Sequence, residues 1–143
     1  MKRIILILFP IILLNSCKKS DDIFFNISII NTNPVNLEQF QENINVEIEF
    51  EHSKGFMGFY DPDHLSLEVK DSRLENPDYY HLIPLNPPQN ELQIKGIIEL
   101  EIDSPFILGS GNLETLFYSI RIQDREGNWS NKVSTPLISV SLN

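Results

Sequence analysis

The segment Val46-Glu47-Ile48-Glu49-Phe50-Glu51 decides the fold class, because apolar and acidic side chains alternate along it without a break. In an extended strand, successive side chains point to opposite faces, so this pattern gives one apolar face and one charged face. The segment therefore predicts a β-strand that covers a core on one side and faces solvent on the other.

The same period of two recurs along the rest of the chain. The other candidate strands are 25–29, 65–69, 92–102, 116–122 and 138–142, with 79–83 as a weaker seventh. Turns rich in Asn, Pro and Gly separate them, and only 36–41 is compatible with a short helix. Because no helical crossovers join the strands, we predict an all-β antiparallel β-sandwich of about seven strands over residues 24–143. Pro136 cannot donate to a ladder, so the last strand should be an edge or carry a bulge there.

Length and composition limit the function classes. The chain has 143 residues, enough for one core, and its net charge of −9 argues against a nucleic-acid partner. Its single cysteine excludes a disulfide framework and any zinc site built from several cysteines.

The first seventeen residues have the parts of a secretory signal. Met1-Lys2-Arg3 precedes the apolar run 4–14, which is too short to span a bilayer as a helix. The sequence Leu14-Asn15-Ser16-Cys17 then resembles the bacterial lipobox, which implies thioether lipidation of Cys17 and cleavage before it. We predict a signal peptide at 1–16 and a lipid anchor with a short tether at 17–23. The alternative is an ordinary signal peptide with an incidental cysteine.

The residues after Cys17 bear on its destination. Lys18-Lys19-Ser20-Asp21-Asp22 has no Asp directly after the cysteine, and it resembles the tag that exports some lipoproteins to the cell surface. We therefore expect an outer membrane lipoprotein of the cell envelope that faces the outside. The alternative is a polar spacer that carries no sorting signal.

A family resemblance rests on a later segment. Residues 118–124, followed by Gly127-Asn128 and Ser130-Asn131, resemble strand F and the F–G turn of immunoglobulin-like and fibronectin type III-like bacterial domains. Residues 43–140 also resemble small bacterial surface lipoproteins of uncharacterised function. That group often has an acidic, glycine-rich loop after its second strand, and 51–58 keeps glycines but lacks most of the acids. The resemblance implies an immunoglobulin-like sandwich.

Aromatic residues in predicted loops form one candidate binding surface. It consists of Phe56, Phe59, Tyr60 and Trp129, and such loop aromatics are favoured anchors in binding faces. The residues of 56–60 could instead cap one end of the sandwich.

Carboxylates form a second candidate surface. If the second and fifth strands are neighbours, Glu47, Glu49 and Glu51 lie beside Glu99, Glu101 and Asp103 on one outer face. Like charges placed opposite each other are destabilising, so such a face could be retained for a basic partner or divalent cations. The alternative is a solubilising surface.

The sequence predicts no catalytic site, metal site or cofactor. Gly109-Ser110-Gly111 lacks the flanking glycines of a nucleophile elbow, and His52, Asp61, Asp63 and His64 match no metal spacing. We therefore expect a non-catalytic binding or scaffolding module, joined to the membrane through its lipid, with an envelope protein or glycan as partner. A polysaccharide-binding accessory module is the alternative, and a hydrolase with a scattered site is a further one.

Overall fold

A computed structural model of the chain describes residues 24–55, 57–85 and 93–142. The leader, the tether, Cys17 and Phe56 lie outside the described residues, so the predictions about them stay predictions. Within the described part every regular element is a strand, which confirms the all-β prediction. The strands are β1 (Phe25–Asn33), β2 (Asn36–Glu38), β3 (Ile44–His52), β4 (Leu65–Asp71), β5 (Asp78–His81), β6 (Ile94–Ile102), β7 (Leu113–Leu116), β8 (Tyr118–Ile122), β9 (Val133–Ser134) and β10 (Ile138–Ser141).

The strands form three sheets, with the orders β1-β3-β6, β5-β4-β8-β9 and β2-β10-β7. All of the pairs are antiparallel except β2 with β10. The alternating apolar side chains of all three sheets meet in a single buried cluster, from Ile44 and Ile48 in β3 to Ile120 in β8 and Ile138 in β10. The result is a β-sandwich-like arrangement in which the longer strands each bury one face.

The short helix that the sequence allowed at 36–41 is wrong. Residues Asn36–Glu38 form β2, which runs parallel to β10 and places Leu37 in the core at 6% exposure. Long-range pairing and the burial of this leucine outweigh the weak local preference for a helical turn.

The described part has ten strands instead of about seven, partly because two long strands are interrupted. Phe117 separates β7 from β8, and residues 135–137 separate β9 from β10. Pro136 lies in the second break, where it cannot donate to a ladder. Thr135 bridges the gap, since its amide donates to the Tyr118 carbonyl and its hydroxyl accepts from the Tyr118 amide. Each interrupted strand thus contributes to two sheets.

The Asn131 side chain joins β1-β3-β6 to β5-β4-β8-β9, which are the two larger sheets by number of residues. Its Oδ1 accepts the Ile27 amide at 2.7 Å, and its Nδ2 donates to the Ile27 carbonyl at 2.9 Å. One side chain before β9 thereby acts as a short ladder for the free edge of β1.

Candidate functional site

A buried histidine–aspartate pair links the two larger sheets at one end of the sandwich. His52 ends β3 and Asp124 follows β8, and the side chains are 2% and 1% exposed. The His52 Nε2 lies 3.1 Å from the Asp124 Oδ2. Asp124 also accepts the Glu126 amide and both the amide and the side chain of Asn128. This carboxylate therefore has four donors around it.

Both ring nitrogens of His52 are already in use. Nδ1 accepts the backbone amides of Lys54 at 3.0 Å and Gly55 at 2.8 Å. Since Nδ1 accepts, Nε2 must carry the proton that it donates to Asp124. An imidazole in this arrangement has no nitrogen left for a nucleophile or a metal ion. The pair resembles part of a catalytic triad in composition only.

Hydrogen bonds control the acidity of the two most buried carboxyls. Burial by itself raises the pKa of Asp124, but bonds from Asn128, His52 and Glu126 outweigh it, so the pKa lies below the ordinary value of 3.8. Burial also acts against the Glu68 carboxylate, which is 3% exposed, yet Arg121 and Tyr79 bring its pKa below the ordinary 4.5. The folded protein therefore favours the ionised form of both groups.

The lowered pKa values of Asp124 and Glu68 predict that the fold is sensitive to acid. Because folding lowers both pKa values, the carboxylates stabilise the fold at pH above their ordinary values and lose this contribution as pH falls through the lowered ones. We expect the free energy of unfolding, measured in urea, to decline from about pH 5 to about pH 3. Asp124→Asn should flatten this decline, whereas Asp63→Asn, in an exposed turn, should keep the wild-type slope. Equal slopes in wild type and Asp124→Asn would contradict the assignment.

The described aromatic residues of the candidate surface do not form one patch, because each of them packs against a different partner. Phe59 stacks on His64 with ring centroids 3.5 Å apart, while Tyr60 is 75% exposed and lies 5.6 Å below the Arg125 guanidinium. Met57, from the same loop, is fully buried and bridges to Leu85 and Asp124. The loop therefore both caps the core and presents Tyr60 to solvent.

Trp129 belongs to a polar network on the outer face of the four-stranded sheet. The Arg121 guanidinium lies 4.4 Å from the centre of its ring. Arg121 also donates to Glu68, which accepts from the Tyr79 hydroxyl and pairs with Lys132 at 3.4 Å. One face of the indole is thus covered by a cation that a buried carboxylate holds in position.

The candidate acidic face lies on the outer side of β1-β3-β6. Glu47 is directly opposite Glu99, while Glu49 pairs with Lys95 at 3.0 Å. Three of the acids accept from side-chain amides: Asn31 donates to Glu47, Gln93 to Glu51 and Asn43 to Glu101. These neighbours offset part of the repulsion that like charges create across a ladder.

Asp103 departs from this face. Strand β6 ends at Ile102, the Ser104 amide donates to the Asn43 side chain, and Pro105 follows. Asp103 lies instead beside a cavity of about 240 Å³ between the two larger sheets. The cavity is lined by Val69, Asp71, Arg73, Leu74, Asp78, Tyr80, Ile102, Asp103, Ser104, Pro105, Phe106, Leu108 and Tyr118.

Of the described residues that line the cavity, Arg73 is the one with a cationic side chain, and it already forms ion pairs with two carboxylates. The Arg73 Nη2 donates to Asp71 at 2.7 Å, and its Nη1 donates to Glu114 and to the Phe106 carbonyl, both at 2.8 Å. Asp78 and Asp103 make no such pair with any described residue. The described groups around the cavity therefore carry a net negative charge.

Two tyrosines complete the cavity. Burial raises the pKa of Tyr80, and the charges of Asp78 and Asp103 raise it further, so both carboxylates act on its hydroxyl. Burial raises the pKa of Tyr118 to about 12, with a further contribution from Asp71. Tyr118 is 6% exposed, and its hydroxyl forms no hydrogen bond with the described residues.

Within 24–55, 57–85 and 93–142, no group of three or more His, Asp or Glu side chains is arranged to hold a metal ion. Asp61 and His64 belong to a turn, where the His64 amide donates to the Asp61 carbonyl. None of the described residues forms a helix that could span a bilayer.

No protein-family model, curated protein or solved structure matches the chain significantly.

Proposed function

We propose that the protein is a lipid-anchored module of the bacterial cell envelope that binds a ligand without transforming it. The fold is proposed to be immunoglobulin-like. In support, the order β1-β3-β6 corresponds to strands A, B and E of such a domain, and β5-β4-β8-β9 to C′, C, F and G.

One observation carries the choice of binding over catalysis. The buried His52–Asp124 pair contains residue types that occur in catalytic triads, but its side chains form their hydrogen bonds with other groups of the fold. By contrast, the carboxylates of Asp78 and Asp103 and the hydroxyls of Ser104 and Tyr118 have no hydrogen-bond partner among the described residues. All four groups line one cavity, as expected of a site that orients a ligand.

The anchor is proposed from the sequence, because Cys17 directly follows an apolar run of signal length and ends a lipobox-like tetrapeptide. Cleavage there removes Lys2 and Arg3, so the mature chain carries about −11 at its membrane. Two or three acyl chains give stable anchoring, whereas one chain is marginal.

Mass spectrometry of the protein purified from a Gram-negative envelope tests the anchor. We expect a mature N-terminus at Cys17 that carries thioether-linked acyl chains, and loss of membrane association in Cys17→Ser. Ser20→Ala, three residues downstream, should remain anchored. A bare thiol at Cys17, or a leader still attached, would overturn the proposed location.

A further inference from the structure

The cavity between β4, β5, β6 and β8 has the features of a site for an organic cation. We propose that it binds an alkylammonium group, with the carboxylates of Asp78 and Asp103 holding the charge and the Tyr118 hydroxyl accepting a hydrogen bond from it. The inference rests on the proposed function, since it names the chemistry of a ligand for the binding module.

The charge of the cavity selects a cation. Asp78 begins β5 and Asp103 directly follows β6, and both residues line the same cavity. Arg73 leaves this charge unbalanced, because Asp71 and Glu114 already surround its guanidinium. An anion would meet two carboxylates with no free positive partner among the described groups.

Tyr118 is an independent sign of a ligand. Its side chain is more than nine-tenths buried, and the groups that act on its phenol, Asp71, Arg73, Asp78 and Tyr80, line the same cavity. The Tyr118 hydroxyl has no hydrogen-bond partner among the described residues, so a polar group that enters the cavity would supply one. The buried Ser104 Oγ, which also lacks a partner in the described part, is a second such atom on the wall.

The walls and the size of the cavity distinguish an ammonium group on a carbon chain from a metal ion. Apolar side chains suited to methylene groups line it, namely Val69, Leu74, Ile102, Pro105 and Leu108. The rings of Tyr80, Tyr118 and Phe106 can attract a cation through their faces. The cavity of about 240 Å³ is smaller than pockets for drug-sized ligands, and the described residues offer no three-ligand metal group.

The test is an amide-resolved NMR titration of the full chain in a nonionic detergent. The probes are 1,5-diaminopentane and Nα-acetyl-lysine amide, with 1-pentanol as the uncharged match in length. We expect saturable shifts centred on Asp78, Ser104 and Tyr118 for an ammonium probe and none for the alcohol. Binding of the diamine alone would point to a free amine as ligand, and binding of both probes to a lysine side chain of a partner.

Variants separate the site from general charge attraction. Asp78→Asn and Asp103→Asn should each weaken binding about tenfold, the loss expected for a charged hydrogen bond. Tyr118→Phe should weaken binding about threefold, and the other amide signals should keep their folded positions, because the hydroxyl has no partner among the described residues. Asp63→Asn, at the opposite end of β4, changes the net charge equally and should bind as wild type does.

Three results would overturn the proposal: no localised shifts with either amine, equal shifts from 1-pentanol, or unchanged affinity in both aspartate variants. None of them bears on the acylation of Cys17, and a bare Cys17 would leave the titration unchanged. Failure of the ammonium site and failure of the proposed anchor are therefore distinguishable.

Discussion

Asp124→Ala is expected to lower the free energy of unfolding by about 3–5 kcal/mol, because each buried donor that loses its acceptor costs about 1–3 kcal/mol. The substitution leaves four donors without an acceptor: the His52 ring, the amides of Glu126 and Asn128, and the Asn128 side chain. His52 ends β3 and the other donors lie in the turn after β8, so the loss weakens the link between β3 and this turn as well as the turn itself.

Urea denaturation at neutral pH measures this effect. The control is Asp61→Ala, which removes an exposed carboxylate that accepts one amide, from Asp63, and should cost about 1 kcal/mol or less. Asp124→Asn should fall between the two, because its remaining oxygen can still accept the two backbone amides. A loss below about 1 kcal/mol in Asp124→Ala would contradict the structural role of the pair.

Sequence alone could place one member of this pair but not the other. The alternation of β3 puts His52 on the same inward side as Ile48 and Phe50, so its burial follows from the period of two. Its partner is 72 residues away in a turn after β8, and no local pattern connects them. In the fold, two backbone amides and the Asp124 carboxylate satisfy the His52 ring.

The cavity illustrates a second limit of sequence patterns. Residues 72–77 connect β4 to β5, and Asp78 is the first residue of β5. The pattern contained no sign that Asp78 and Asp103 would line one cavity together with two tyrosines. Their placement depends on where β6 ends and how the two sheets pack, and these are properties of the whole core.

By contrast, the ladder of β3 and β6 followed from local pattern. Strict alternation in both strands fixes which side chains face outward, and a shift of one residue would have buried Glu47 and Glu99. The break at Pro136 is also a local matter, because proline lacks the donor that a continuous strand would need. Elements set by periodicity or by a missing donor can therefore be predicted, and sites set by distant contacts cannot.

The loop that follows β3 depends on a close approach of two backbones at Gly58. Its φ is +72°, and a β-carbon there would overlap the Ile83 carbonyl and lie 2.8 Å from the Leu82 carbonyl oxygen. The neighbouring Phe59 amide donates to that Leu82 oxygen at 3.0 Å, and the Arg125 Nε donates to the Gly58 carbonyl at 2.7 Å. Any side chain at this position must therefore push apart segments that hydrogen bonds hold together.

Gly58→Ala is expected to cost about 3 kcal/mol or more, combining left-handed backbone strain with displacement of packed backbone. Gly127→Ala is the matched control, because its φ is also positive, at +88°, but its β-carbon would meet nothing nearer than Gln123 at 4.0 Å. That variant should show only the strain, about 1–2 kcal/mol in the same urea assay. If the two variants lose equal stability, the loop can move away from Leu82 and Ile83 at little cost. Its role in capping the core would then belong to Met57 alone.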